Sequence, residues 1–370
     1  MNCGSSLTQS IFGCCMNIPI YVLCMIIGWS YYTVVFIICA GKHIQRGALI
    51  PNCLGRVPQY ISNGMFLIQI LVQNPRFLYY PTVLFVVPYH LVLFLFLWSF
   101  WRSVKTSIPP VPKQYCLSAS ETVRFIELDS EPARTEYLEQ LVQQKRLPIT
   151  LNNKRGTVPF CDICFLIKPD RTHHCSSCEK CVPKMDHHCP WINNCVGYHN
   201  QKYFLLFLFH AICYCSLSFL STLGFFIKFV HNQIDFTVDG MHVFFLFIIS
   251  LVFAIALLAL LLFQMTLLFG NSSTLEHFRS PNFRDSAVRQ TFSLGFKANF
   301  VQVFGSRPLY WLIPIYTRSV LTGRFVLLEK FHRLCSTTRS RFSHTEPILT
   351  LFFWHVPSFN VLVADFRKRF

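Results

Sequence analysis

The chain has 370 residues, of which 52% are hydrophobic and only 14% are charged, whereas soluble domains carry about 25% charged residues. This composition excludes a wholly soluble protein. It also excludes a disordered one, because disorder needs low hydrophobicity and high charge. The formal net charge of +16 suggests basic segments that face an anionic membrane leaflet. The 17 cysteines are equally unusual, since seven of them lie between Cys161 and Cys195.

Four apolar stretches are long enough to cross a bilayer as helices, which takes about 20 residues. Backbone polar groups must be satisfied inside lipid, so we predict α-helices rather than irregular segments. One such stretch would also suit a buried core helix, but four of this length favour a membrane protein. The predicted spans are 18–40, 81–101, 204–227 and 241–270.

The distribution of basic residues predicts the orientation of these spans, because cytosolic loops are enriched in Lys and Arg. Lys and Arg are frequent in 102–202 and after residue 270, and they are absent from 229–240. We therefore expect both termini and 102–202 to be cytosolic, with 41–80 on the lumenal or extracellular side. Two shorter apolar stretches, 65–72 and 348–364, are predicted to be interfacial or docked against the protein.

The segment between the second and third spans begins with a proline-rich linker. Ser120 and Glu121 then precede apolar residues at helical spacing, which predicts one amphipathic helix over about 119–146 that ends near Pro148. Its apolar positions are spaced as on one face of an α-helix. We interpret it as a solvated linker helix.

The cysteine cluster follows, with two C-x2-C pairs, a third closely spaced cysteine and several histidines. Zinc prefers four thiolate or imidazole ligands in a tetrahedron, and a C-x2-C turn presents two thiolates together. Disulfides are the weaker interpretation, because the cytosol keeps thiols reduced. The segment has few large apolar residues, so bound metal would take the place of a core. Unrelated free cysteines are the remaining alternative.

The number of ligands leaves one cysteine over. Two four-ligand sites would use six cysteines and two histidines out of this cluster. Cys189 lies beside two histidines and three residues after Asp186. A thiolate is a strong nucleophile when a neighbouring imidazole or metal lowers its pKa, and a carboxylate can orient that imidazole. From spacing alone, Cys189 is either such a nucleophile or another zinc ligand.

The segment 161–204 resembles the cysteine-rich domain of the DHHC family of membrane protein S-acyltransferases (palmitoyltransferases). The match runs from Cys161 through the sequence DHHC at 186–189 to Asn200 and Phe204, and it includes KPDR at 168–171. After the fourth span, STLE at 273–276 resembles the family's TTxE motif. GFKANFVQVFG at 295–305 resembles its C-terminal motif, with Asn299 as a polar anchor.

The resemblance implies two interleaved structural zinc sites and a catalytic group. The catalytic group would be Cys189 with His187 and Asp186. The first zinc site would comprise Cys161, Cys164, His174 and Cys181, and the second Cys175, Cys178, His188 and Cys195.

The implied fold is an α-helical polytopic membrane protein with four transmembrane helices. Its cytosolic cysteine-rich domain, between the second and third helices, would bind the two zinc ions. The implied function is transfer of a palmitoyl group from palmitoyl-CoA, through acyl-Cys189, to cysteines of membrane-associated proteins. The implied location is the endomembrane system, in the Golgi, the endoplasmic reticulum or the plasma membrane.

Several residues are candidates for contacts with the acyl donor. Lys168, Arg171 and His173 suit the CoA phosphates by charge and by position, although a solvated surface would hold the same residues. Trp191 would either cover the site or pack against the rest of the domain. Ser30 and Tyr214 lie inside the first and third spans. In enzymes of the family these spans line the cavity for the acyl chain, and otherwise such hydroxyls simply connect helices.

Three other functions fit parts of the sequence. A zinc-binding scaffold without turnover would share every ligand and span, but it has no need of a free cysteine flanked by histidine and aspartate. A transporter or channel needs ionisable residues at membrane depth, and the spans offer only His90 and His210, with His242 at an edge. Nucleic acid is not an expected partner, because acidic residues balance most of the basic ones in 102–202.

The expected organisation has six segments. They are helices 1 and 2 with a lumenal loop (1–101), the linker and amphipathic helix (102–160), the zinc domain (161–203), helices 3 and 4 (204–270), the two C-terminal motifs (271–319) and a tail of unknown role (320–370).

Overall fold

The computed structural model describes residues 16–40, 79–231, 237–285 and 291–316. These residues are mostly α-helical, with short antiparallel strand pairs and a few turns of 3-10 and π-helix. Most of the 41–80 connection lies outside the described residues, as do both predicted interfacial stretches and all of the tail.

Two apolar helices precede the cysteine-rich segment. Helix α1 covers Ile18–Tyr32 and continues as a π-helix over Thr33–Ala40, and α2 covers Tyr79–Lys105. Arg102 and Lys105 lie in the last turn of α2, where cations interact favourably with the negative end of the helix dipole.

The single helix predicted over 119–146 is wrong, because the chain forms two helices there. Helix α3 covers Ala119–Glu127 and α4 covers Glu131–Gln144. Ser130 starts the second helix by accepting a hydrogen bond from the Ala133 amide at 3.3 Å. The Ser130 backbone is extended, with φ −114° and ψ 141°, so a helix cannot continue through it. Sequence periodicity did not reveal this interruption.

Three consecutive β-hairpins form the cysteine-rich segment, after a short strand β1 at Leu151–Asn152. All three are antiparallel. The first hairpin pairs β2 (Phe160–Cys161) with β3 (Leu166–Ile167), the second pairs β4 (His173–Cys175) with β5 (Lys180–Val182), and the third pairs β6 (Met185–Cys189) with β7 (Asn194–Gly197).

The three hairpins repeat one another at a constant spacing. The first strand of each ends with a cysteine, at positions 161, 175 and 189. Each turn also ends in a residue with positive φ: Phe165 at 46°, Glu179 at 52° and Asn193 at 43°. The cross-strand partners recur at the same offset: Cys161 with Leu166, Cys175 with Lys180, and Cys189 with Asn194.

Two long apolar helices follow the hairpins. Helix α5 covers Gln201–Val230 and α6 covers Val238–Gly270. The rings of Phe226 and Phe247 stack between them with centroids 4.1 Å apart. Within the described ranges, α1 with its extension, α2, α5 and α6 are the four helices that are long and apolar enough to cross a membrane. The predicted four spans are therefore confirmed.

Two asparagines join the third hairpin to the end of α2. The Asn194 amide Nδ2 donates to the carbonyls of Ser103 at 3.1 Å, Val104 at 3.3 Å and Thr106 at 2.9 Å. These carbonyls belong to the last turn and the exit of α2, where no further helical N–H is available. Asn200 also donates to the Ser103 carbonyl, at 3.4 Å. The hairpin is thereby fixed at the end of the helix bundle.

The segment after α6 folds back onto the ends of α5 and α6. It contains α7 (Thr274–Phe278), β8 (Asn282–Phe283), which pairs with β1, and α8 (Phe296–Phe304). Asn299 is buried and donates to the Phe269 carbonyl at 2.6 Å. The fully buried Lys202 ammonium donates to the carbonyls of Tyr310 and Ile315, both at 2.7 Å.

Candidate active site and metal centres

The first group of predicted metal ligands comes together between the first and second hairpins. The ligand atoms of its four residues lie within 4.8 Å of one another. His174 Nδ1 is 3.6 Å from Cys161 Sγ, 3.4 Å from Cys164 Sγ and 3.9 Å from Cys181 Sγ. The four side chains therefore surround a single point.

The second group repeats this geometry between the second and third hairpins. His188 Nδ1 is 3.6 Å from Cys175 Sγ, 3.4 Å from Cys178 Sγ and 3.7 Å from Cys195 Sγ. The Cys178 and Cys195 sulfurs are 3.6 Å apart. The two clusters thus share one donor set and nearly the same distances.

Both clusters have the size of a tetrahedral zinc site. With Zn–S bonds of about 2.3 Å and Zn–N bonds of about 2.0–2.1 Å, a tetrahedron has S···N edges of about 3.5 Å and S···S edges of about 3.8 Å. The measured edges of 3.4–3.9 Å agree with these values. Each cluster can hold a metal ion with four protein ligands, which leaves no open position for catalysis.

Asp186 and His187 form the next layer of the site. His187 Nδ1 lies 2.6 Å from Asp186 Oδ2, and Asp186 is 2% exposed. Burial lowers the pKa of the His187 imidazole, but the hydrogen bond to Asp186 and the neighbouring Cys189 raise it more, to about 10. A protonated imidazole beside a sulfur favours the thiolate form of that sulfur. This arrangement suits a nucleophilic cysteine.

The segment after α6 completes the environment of Asp186. The Thr274 backbone amide donates to Asp186 Oδ1 at 2.7 Å, and the Thr274 hydroxyl donates to Oδ2 at 2.7 Å. Gln264 Nε2, from α6, also donates to Oδ2 at 3.2 Å. Sequence reasoning assigned neither residue to the site. Both could have been recognised from the sequence. Thr274 lies in the TTxE-like motif, and Gln264 is the one carboxamide in the fourth predicted span.

Cys189 lies where the third hairpin meets the helix bundle. It is buried, and it belongs to the same apolar cluster as Ile192, Phe204, Phe207 and Tyr214. The Phe204 ring makes an edge-to-face contact with His187, with centroids 5.3 Å apart. Cys189 is therefore two residues from His187 in the chain and packs among apolar side chains of the helix bundle.

The two candidate residues inside the spans contact each other. Ser30 Oγ and the Tyr214 hydroxyl are 2.9 Å apart. The group has a third member that the sequence did not indicate. The Tyr89 hydroxyl in α2 donates to the Tyr214 hydroxyl at 2.9 Å. All three side chains are buried. Three different spans thus contribute to one polar group inside the apolar bundle.

The candidates for CoA contacts occupy different environments. Arg171 is engaged in a bidentate ion pair with Glu276, at 2.6 and 2.7 Å, and it also donates to Asn271. Its guanidinium lies over the Phe292 ring at 4.4 Å. The nearby Arg171 charge lowers the pKa of the Glu276 carboxyl, although burial alone would raise it.

The other three candidates are more accessible. Lys168 is half-buried after the first hairpin, His173 is exposed on β4, and Trp191 is 45% exposed in the turn of the third hairpin. Trp191 is close to Cys189 in sequence, whereas Lys168 and His173 belong to the first and second hairpins.

Comparison with known proteins identifies the family. A family model described as DHHC palmitoyltransferase matches residues 155–281. Palmitoyltransferase ZDHHC20 of Homo sapiens is 36% identical over 312 residues, which cover 83% of this chain and 77% of the relative. The chain belongs to the DHHC palmitoyltransferase family. Palmitoyltransferase ZDHHC2 of Homo sapiens is 37% identical over 301 residues, covering 81% and 72%, and Palmitoyltransferase ZDHHC20-A of Danio rerio is 35% identical over 308 residues, covering 82% and 76%.

Membership of the DHHC palmitoyltransferase family establishes the enzyme class that the residues indicated. The protein is a palmitoyltransferase held in the membrane by four apolar helices. Nothing in the described geometry favours a non-catalytic scaffold. Cys189 follows His187 by two residues, and His187 is hydrogen-bonded to the buried Asp186 carboxylate.

Proposed function

We propose that the protein transfers a palmitoyl group from palmitoyl-CoA to a cysteine of a substrate protein, through a thioester on Cys189. One observation carries this proposal. Of the seven cysteines between Cys161 and Cys195, all described, six belong to the two metal clusters and Cys189 belongs to neither. The free cysteine is also the one that follows His187 by two residues, and its presence helps to raise the pKa of the His187 imidazole.

In the first step the Cys189 thiol gives its proton to His187 and attacks the thioester carbonyl of the acyl-CoA. A bond forms between the Cys189 sulfur and the acyl carbon, and the bond from that carbon to the CoA sulfur breaks. The CoA thiolate leaves with the proton from His187. Asp186 holds the imidazole by Nδ1, which leaves Nε2 to exchange protons with sulfur.

In the second step a cysteine of the substrate protein takes the place of CoA. Its thiol gives a proton to His187 and attacks acyl-Cys189, which releases the Cys189 thiolate to recover that proton. This is covalent catalysis with two successive thioester exchanges. One thioester replaces another in each step, so no nucleotide hydrolysis is needed.

Two zinc ions would hold the hairpins in place without joining the chemistry. The first would bind Cys161, Cys164, His174 and Cys181, and the second would bind Cys175, Cys178, His188 and Cys195. Zinc suits this thiolate and imidazole set better than magnesium or calcium, which prefer oxygen. Binding would stabilise a segment with a small apolar core, because free energy of metal binding becomes free energy of folding.

The acyl chain would extend from Cys189 into the apolar cluster between the spans. The three hydrogen-bonded hydroxyls of Ser30, Tyr214 and Tyr89 would limit the length of the acyl chain. These polar side chains close the apolar space between three helices. On the aqueous side, Lys168 and His173 would contact the CoA phosphates. Arg171 would contribute positive charge from its ion pair, and Trp191 would cover the site.

The proposed topology places the hairpins and both termini in the cytosol, where acyl-CoA is found. The enriched Lys and Arg in 102–202 and after residue 270 support this orientation. Substrates would be membrane-associated proteins with cytosolic cysteines, and the enzyme would reside in the Golgi, the endoplasmic reticulum or the plasma membrane. The six segments expected from the sequence are proposed as its working units.

Radiolabelled palmitoyl-CoA tests the acyl-enzyme directly. The full chain, purified in detergent, should acquire label that hydroxylamine removes and that peptide mapping assigns to Cys189. The Cys189→Ser variant should acquire none, while Cys213→Ser, in α5, should label normally. Label that persists undiminished in Cys189→Ser would show that the nucleophile is another residue. A purified protein that acquires no label at all would favour the scaffold.

A further inference from the structure

One carboxamide lies inside α6, the most apolar of the four spans. Gln264 is 2% exposed, and residues 241–270 contain no other Asn or Gln. An amide at membrane depth is unfavourable unless its polar atoms are hydrogen-bonded. The contacts of Gln264 therefore indicate what the residue does.

Only one end of this amide is paired within the described residues. Nε2 donates to Asp186 Oδ2 at 3.2 Å and to the Thr274 hydroxyl at 3.3 Å. Oε1 is buried, and it has no hydrogen-bond partner among the residues that the structure describes. The orientation is chemically determined, because an ionised carboxylate only accepts hydrogen bonds. A buried, unpaired carbonyl destabilises a fold, so folding stability does not explain the choice of glutamine.

The oxygen that Gln264 contacts is the one that orients the imidazole. Asp186 Oδ2 receives His187 Nδ1 at 2.6 Å and the Thr274 hydroxyl at 2.7 Å, with Gln264 as the third donor. Thr274 fixes the carboxylate from the segment after α6, and Gln264 fixes it from within the membrane helix. Together they restrict rotation of the carboxylate about its last side-chain bond.

We propose that Gln264 is a positioning residue for acyl transfer. It holds Asp186 so that His187 keeps the tautomer and direction that serve Cys189. The inference rests on the proposed function, because it assigns Gln264 a role in the same site. It also assigns to α6 a direct contact with Asp186, beside the contact that Thr274 makes from the TTxE-like motif.

The test removes the amide donor but keeps the length of the side chain, in the Gln264→Met variant. A hydrogen bond to a charged group contributes enough that its loss should slow acyl-enzyme formation by about tenfold. The KM for palmitoyl-CoA should stay within about twofold. The melting temperature should be unchanged or higher, since the unpaired oxygen is removed as well. Single-turnover labelling, thermal unfolding and metal analysis of the full chain provide the three measurements.

Two further variants separate positioning from packing. Gln264→Glu keeps the shape but places a second carboxyl group against Asp186, and it should slow labelling at least as much as Gln264→Met. Thr266→Val is the matched control, because its exposed hydroxyl only donates to the Phe263 carbonyl of the same helix. It removes a polar group two positions away and should label at the unmodified rate.

The outcomes distinguish this inference from the proposed function. Label on Cys189 that forms at an unchanged rate in Gln264→Met overturns the inference alone. Slower labelling that accompanies loss of zinc or a lower melting temperature in both Gln264 variants also overturns it, because the role is then structural. If the unmodified protein carries its label on another residue, the proposed function fails and the inference fails with it.

Discussion

The second and third hairpins have equivalent strand pairing, but only the second contributes the cysteine of its motif to a metal cluster. The second contains Thr-His-His-Cys at 172–175, and the third contains Asp-His-His-Cys at 186–189. In both, the second histidine of the motif is a metal-cluster residue. Cys175 has Cys178 three residues later and joins the second cluster, whereas Cys189 has Ile192 at that position and joins none.

The comparison shows how a ligand position becomes a candidate nucleophile. The replacement of a second cysteine by Ile192, which is fully buried in the apolar cluster, removes the C-x2-C pair and leaves one sulfur over. Replacing threonine by Asp186 then supplies a carboxylate for the neighbouring imidazole. Two positions of a repeated hairpin, 186 and 192, therefore distinguish the metal-cluster cysteine from the proposed nucleophile.

The largest expected effect comes from exchanging the two equivalent cysteines for serine. Cys175→Ser should lose the second metal and unfold the hairpins, because each structural zinc contributes on the order of 10 kcal/mol of folding free energy. Cys189→Ser should keep two metal ions and the original melting temperature, but lose all acyl transfer. Metal analysis and thermal unfolding check this, and zinc loss from Cys189→Ser would contradict the cluster assignment.

The next effect comes from giving the third hairpin the residue of the second, in Asp186→Thr. We expect acyl-enzyme formation to fall by at least about 100-fold, because loss of the orienting carboxylate disrupts the imidazole tautomer. Metal content should stay at two ions per chain, since Asp186 is in neither cluster. Single-turnover labelling measures the rate. A rate within about twofold of the unmodified protein would remove Asp186 from the mechanism.

A smaller effect tests the apolar cluster that the third hairpin shares with the spans, whereas Cys175 of the second hairpin belongs to a different cluster. Tyr214→Ala should shift the preference toward longer acyl chains by about tenfold, because a few methylene groups change binding by this order. Competition between acyl-CoA donors of different length measures the shift. Tyr214→Phe is the control, since it keeps the ring and removes only the hydroxyl that contacts Ser30. An unchanged chain-length preference in Tyr214→Ala would show that other residues form the end of the cavity.

The smallest effect concerns the turns that the hairpins share. Glu179 is exposed and has φ 52°, a left-handed conformation that is unfavourable for most residues with a Cβ. Glu179→Gly should stabilise the protein by about 1 kcal/mol, or about 2–4 °C in melting temperature. Glu179→Ala removes the same charge without relieving the backbone. Equal melting temperatures for the two variants would show that the turn is not strained.

The sequence predicted features that depend on residues close together in the chain. Apolar length identified the four spans, and cysteine spacing with the family resemblance identified both clusters. The break between α3 and α4 was missed although its cause is local. The prediction used only the spacing of apolar residues, and that spacing does not show the cap at Ser130. Thr274, Gln264 and Tyr89 were not assigned to their sites because their partners are distant in the chain. Such contacts depend on tertiary packing, which spacing does not encode.

Lys202 has a consequence for the order in which the protein is made. Its ammonium is fully buried between the carbonyls of Tyr310 and Ile315, and a buried charge needs such partners. The ribosome synthesises Lys202 well before these two residues, so the third span enters the membrane while both carbonyls are still to be translated. Until then the ammonium must remain hydrated at the membrane surface. Closure of this end of the bundle is therefore a late, post-insertion step, completed by the C-terminal segment.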